Sequence, residues 1–114
     1  MNDELLTRVE REVLSWPGVT SEPGRFGATS FRYGKRESGH IHRDRIADLP
    51  VTTEMREDIL GRVRARPHRA GVKCYISYPL QDQEDVSVVR EILSRNYDRS
   101  KAAAERRGSQ DAKE

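Results

Sequence analysis

Gly39-His40-Ile41-His42 sets two imidazoles two residues apart in a segment that reads as a strand. Residues i and i+2 of a strand face the same side, so both rings point into one space, with Gly39 leaving room beside them. Two imidazoles on one face can bind a metal, hold an anion or titrate together near neutral pH. His68 is the third histidine of the chain and Cys74 its only thiol. Zinc takes four such ligands, or three plus water at a catalytic centre. One H-x-H with scattered partners is not the tight paired spacing that announces a metal site, so the expectation is no metal and no cofactor. The simpler alternative is a pair of hydrogen-bonded strand histidines, with Cys74 as a small buried hydrophobe.

An acid/base pair is also open, either His42 with nearby Asp44 or His68 with Asp48. No Ser or Cys sits in a nucleophile motif and no carboxylates stand at a diagnostic spacing, so no catalytic residue is assigned. A second cluster is cationic. Arg62, Arg64, Arg66, Arg69 and Lys73 fall between residues 59 and 73 with no acid among them. Arg62 and Arg66 share a face at i,i+4 if the segment is helical. Phosphates are bound by such clusters, with Tyr33, Tyr75 or Tyr78 available to stack on bases. Against this, 21 basic and 19 acidic residues leave a net charge of only +2, where strong nucleic-acid binders carry a larger excess.

The elements that must position these groups come next. A chain of 114 residues is one domain by length. All 23 Leu, Ile, Val and Phe residues lie at or before Leu93. The folded unit is expected over residues 3–97, with 98–114 a polar, disordered tail. Leu5, Leu6, Val9, Val13 and Trp16 recur at helical spacing between Asp3 and Trp16, ended by Pro17-Gly18. A loop rich in Gly, Pro and Ser runs to Gly27. Ala28–Tyr33, a turn at Gly34-Lys35, and Arg36–Arg43 predict a hairpin. Its returning strand either packs Ile41 inward with the histidines outward or the reverse. Ile46–Pro50 follows as a short further strand, and Thr52 or Thr53 caps a helix with Met55, Ile59 and Val63 inward, ending near Arg66 because of Pro67. Val72–Tyr78 is the clearest strand. Asp82 or Gln83 opens a last helix with Val86, Val89, Leu93 and Tyr97 in a stripe. The order α-β-β-(β)-α-β-α predicts an α+β domain, a small antiparallel sheet with helices packed on one face.

Several of these segments resemble the signatures of one family, the small luciferase-domain proteins. They are Trp16-Pro17-Gly18-Val19-Thr20, Arg25-Phe26-Gly27, Gly39-His40-Ile41-His42, Ala47-Asp48-Leu49-Pro50, Pro67-His68, Tyr75-Ile76-Ser77-Tyr78 and Glu84-Asp85-Val86. The resemblance spans roughly residues 12–98 and makes His68 a third member of the histidine pattern. Tyr75 stands where the family carries Trp, and Arg69 where it carries a second His. The family's name implies light-emitting chemistry, yet no dinucleotide fingerprint accompanies the glycines. The layout is also similar to small α+β proteins of the MmcQ/YjbR type, discussed as DNA binders.

Taken together, the sequence predicts a cytoplasmic protein without a signal peptide or membrane segment. Its preferred role is a non-catalytic binding or accessory domain whose ligand or protein partner docks at His40, His42, His68 and Tyr75. Nucleic-acid or polyanion binding through Arg62, Arg66, Arg69 and Lys73 is the first alternative. A histidine-based, metal-assisted enzyme is the second.

Overall fold

A computed structural model describes residues 4–24, 27–61, 65–67 and 74–112, with side chains through residue 107. The chain runs α1 (Glu4–Leu14), β1 (Val19–Pro23), β2 (Thr29–Tyr33), β3 (Arg36–Ile41), β4 (Ile46–Pro50), α2 (Thr53–Leu60), β5 (Arg66–Pro67), β6 (Tyr75–Pro79) and α3 (Gln83–Ala112). The strands form one antiparallel sheet in the order β1-β2-β3-β4-β6-β5. This is the α+β architecture the sequence predicts, with two strands more than expected. β1 is exposed at every position but its first, so it lacks the apolar alternation that signals a strand. β5 is two residues long and includes Pro67. Both are edge strands, where proline and polar faces are tolerated.

Helix boundaries follow local chemistry. The Thr52 hydroxyl accepts from the Met55 N–H at 3.1 Å and caps α2, which stops at Leu60 before Gly61, short of the expected Arg66. Val63 lies outside the described residues. At α3, Asp82 accepts from the Asp85 N–H at 3.1 Å. The Asp85 carboxylate reaches back to the N–H groups of Gln81 and Asp82 at 2.8 and 3.2 Å, a reciprocal capping box. Helix α3 does not end near Tyr97. It continues to Ala112, with Ser100 and Ala103 buried, because Lys101 to Arg107 is almost wholly strong helix formers.

α3 crosses the sheet over β2, β3, β4 and β6, while α1 packs on α3 and β1, and α2 on β6. Phe31, Ile41, Leu49 and Ile76 from the strands meet Val9, Val13, Ile59, Val89, Ile92 and Leu93 from the helices in one core cluster. Ile41 is therefore the inward residue of β3, which sends His40 and His42 to the opposite face, free of helices among the described residues and called the helix-free face below. Trp16 packs on the core edge with its ring 5.5 Å from that of Tyr97, whose hydroxyl donates to the Pro17 carbonyl at 2.7 Å. Phe26 lies outside the described residues. Cys74 is exposed rather than buried, because it stands one residue before β6 begins.

Gly39 sits on the inward face of β3, against Leu93 of α3 and Leu49 of β4. A Cβ there would lie 2.7 Å from Leu49 Cδ2 and 2.9 Å from Leu93 Cδ2. Replacing Gly39 with Ala is expected to cost about 1–3 kcal/mol by overpacking, read as a lower urea midpoint with unchanged slope. An unshifted midpoint would show that the two leucines yield freely.

Candidate functional site

The sheet register draws a polar line across the helix-free face. Ser30 of β2 pairs with His40 of β3, His40 with Asp48 of β4, and Asp48 with Ser77 of β6. His42, the residue just past β3, lies two residues on from His40 and shares its face, both rings reaching Asp48 Oδ2. A regular strand would send Glu37, three residues before His40, to the core. The register between β2 and β3 shifts, however, so that Phe31 faces Gly39 while Arg32 faces Glu37. Ser38 is thus the extra residue of a β-bulge, and Glu37 emerges beside His40.

Two carboxylates organise the cluster, Asp48 buried and Glu37 half-buried. Asp48, 3% exposed at its side chain, accepts on Oδ2 from His42 Nε2 at 2.7 Å and His40 Nε2 at 3.2 Å. Its Oδ1 accepts from the Ser77 hydroxyl at 2.6 Å. Glu37 accepts on Oε1 from the Ser30 hydroxyl at 2.7 Å and His40 Nδ1 at 3.1 Å, and on Oε2 from the Tyr75 hydroxyl at 2.6 Å. His40 therefore bridges the two acids through both ring nitrogens. Ionised carboxylates only accept, so each nitrogen must carry a proton. The His40 and His42 rings stand edge to face with centroids 4.9 Å apart. Their side chains keep 23% and 16% of their surface open to solvent.

The electrostatics follow from these bonds. The hydrogen bonds to Asp48 and then Glu37 raise His40 to about 9, against the opposing effect of burial. Burial alone would raise the Glu37 carboxyl, but the bonds from His40, Tyr75 and Ser30 outweigh it and hold it down to about 2. Burial and then the Glu37 carboxylate push the Tyr75 phenol well up, so it stays a donor. A raised histidine stabilises the fold fully below its ordinary value of 6.5, and the contribution is lost as pH climbs through about 9. A depressed Glu37 does so above its ordinary 4.5, and its share is lost as pH falls towards 2. In chelator-treated protein the melting temperature is thus expected to peak between these ordinary values. Towards pH 9–10 it should fall by the equivalent of about 1–2 kcal/mol, allowing for solvent screening of a partly open ring. His40→Ala should flatten the alkaline limb. Parallel profiles for the two proteins would show that His40 does not set it.

The structure brings His40, His42 and Tyr75 together. His68, Arg62, Arg69 and Lys73 lie outside the described residues, and Arg66 is exposed on the edge strand β5. Glu37, Ser30 and Ser77 complete the cluster without having been singled out, and Asp48, singled out only as a partner for His68, joins it through His40 and His42. Asp48 carried a signal, an acid at the solvent-facing parity of the apolar strand Ile46–Pro50. Glu37 carried none, since the bulge reverses its parity. Of the two acid/base pairings expected from the sequence, His42 donates to Asp48 and not to Asp44, while the pairing of His68 with Asp48 falls on a residue outside the described ones.

A small α+β domain with an imidazole–carboxylate cluster on the open face of its sheet is the class defined here. The luciferase domain family matches residues 35–96, more than half of the chain, and the protein belongs to that family. The match takes in every residue of the cluster except Ser30. It is narrower than the resemblance over residues 12–98 and leaves out the Trp16 and Phe26 segments. No curated protein and no solved structure matches the chain. Among the described residues no helix is long and apolar enough to cross a membrane.

Proposed function

We propose that this luciferase-domain protein is a cytoplasmic, non-catalytic binding domain whose ligand docks over His40 and His42 on the helix-free face. The observation that carries this reading is the convergence of polar side chains from β2, β3, β4 and β6 on two partly open rings. Every inner member is held by a partner, so the exposed edges of His40 and His42 are presented at low entropic cost. The complement is a small polar molecule that both donates and accepts hydrogen bonds. Binding is favoured over catalysis because the Ser30 and Ser77 hydroxyls hand their protons to carboxylates. A serine nucleophile hands its proton to an imidazole instead.

The test is an NMR screen of a polar fragment library that follows the imidazole signals of His40 and His42. Hits should shift those signals and vanish in His42→Ala. Hits that map elsewhere, or that persist in the variant, would remove the reading. The polyanion alternative rests, among the described residues, on the exposed Arg66 at the same cross-strand level as Ser77. Salt-dependent retention on heparin, weakened by Arg66→Ala, would support it.

A further inference from the structure

We propose that His40, His42 and Asp48 form a three-donor site for a first-row divalent transition ion of the zinc(II) or iron(II) kind. This deepens the ligand-site reading and rests on it, placing the ion at the bottom of the same surface. The donor atoms of the three residues lie within 4.8 Å of one another. Asp48 Oδ2 is 2.7 Å from His42 Nε2 and 3.2 Å from His40 Nε2. Ligands about 2.0–2.1 Å from a common ion stand roughly 2.9–3.4 Å apart at octahedral and tetrahedral angles, so both His–Asp spacings lie near that range, and an ion replacing the shared protons would draw together imidazole nitrogens that already lie within 4.8 Å.

The surroundings are those of a ligand set. Ser77 holds Asp48 Oδ1 at 2.6 Å and leaves Oδ2 aimed at the two rings. Glu37 Oε1 lies 3.1 Å from His40 Nδ1, and a carboxylate there keeps the proton on Nδ1 and frees Nε2 to coordinate. Tyr75 and Ser30 in turn anchor Glu37. Two imidazoles and one carboxylate suit a borderline ion, and three protein donors leave positions open towards solvent for water or a further ligand. Softer or harder ions fit less well, since the set has no thiolate and only one carboxylate oxygen.

The experiment uses tag-free full-length protein, stripped with chelator and titrated separately with zinc(II), anaerobic iron(II) and cobalt(II) as an optical probe. Calorimetry should give one ion per chain for at least one of them, and zinc against iron affinity distinguishes the two sources. His42→Ala should weaken binding by about 100-fold or more. Glu37→Gln, which keeps the shape and touches no ion, should weaken it by about 10-fold or more. Circular dichroism confirms that each variant is folded, and Glu37→Gln carries the test if His42→Ala is not. Absence of binding by all three ions overturns the proposal, as does affinity unchanged in both variants. If the fragment screen still shifts His40 and His42 while no ion binds, only the metal inference falls. If neither ion nor fragment reaches the two rings, the ligand reading falls with it.

Discussion

Asp48→Ala is expected to lower the stability of the protein by about 3–5 kcal/mol, the largest effect of any single change in the polar cluster. The carboxylate is almost wholly buried and accepts from His40, His42 and Ser77 at once. Its removal leaves the His40 cation facing Glu37 alone and strips the Ser77 hydroxyl and the His42 N–H of their acceptor. For a domain of this size the melting temperature should drop by roughly 15–25 °C. Asp48→Asn, which keeps one acceptor oxygen but not the charge, should fall between the wild type and Asp48→Ala. A thermal melt of Asp48→Ala within a few degrees of the parent would mean that water replaces the carboxylate freely, and the cluster would lose its claim to be preorganised.

The second large effect is expected from Asn96 on α3. Its amide nitrogen donates to the Ser38 carbonyl at 2.9 Å and the Pro50 carbonyl at 2.8 Å, and its oxygen accepts from Arg99 at 2.9 Å. Two carbonyls on one side and a guanidinium on the other settle which end of the amide is which. Asn96→Asp is nearly isosteric, yet it removes both donors and sets an acceptor against two carbonyls in a buried place. A loss of about 3–5 kcal/mol is expected at neutral pH, larger than the loss for Asn96→Ala. Urea unfolding of the two variants decides it. If the aspartate proves no worse than the alanine, the two carbonyls are satisfied by something other than the amide.

How far the fold was legible depended on how locally each element is encoded. α1, the β2–β3 hairpin and the inward stripe of α3 are written in apolar spacing, and Val9, Val13, Val86, Val89, Leu93 and Tyr97 are all buried. Alternation in β3 left two orientations open, and burial of Ile41 chose the one with the histidines outward. β1 escaped notice because an exposed edge strand needs no apolar face, only a neighbour to pair with. The extension of α3 was missed because helix propensity without an apolar stripe resembles a polar tail. In the cluster, the H-x-H face could be read directly, whereas its partners depend on register. Asp48 meets His40 only because β4 returns at that pairing, and Ser77 and Tyr75 arrive from more than twenty residues away.

The bulge at Ser38 ties the two sides of the sheet into one property. Its carbonyl is gripped from the core side by Asn96, while the residue before it delivers the Glu37 carboxylate to the opposite face. Deleting Ser38 would restore regular alternation along β3. Glu37 would then stand two residues before His40 and keep to the same face, but the Ser38 carbonyl that Asn96 holds would be gone. The extra residue therefore lets one strand serve both faces, offering a carbonyl to the core helix without taking the acid from the cluster. A chain of this family that lost the extra residue would leave the Asn96 amide one acceptor short, which makes the insertion and the asparagine a linked pair to look for in its relatives.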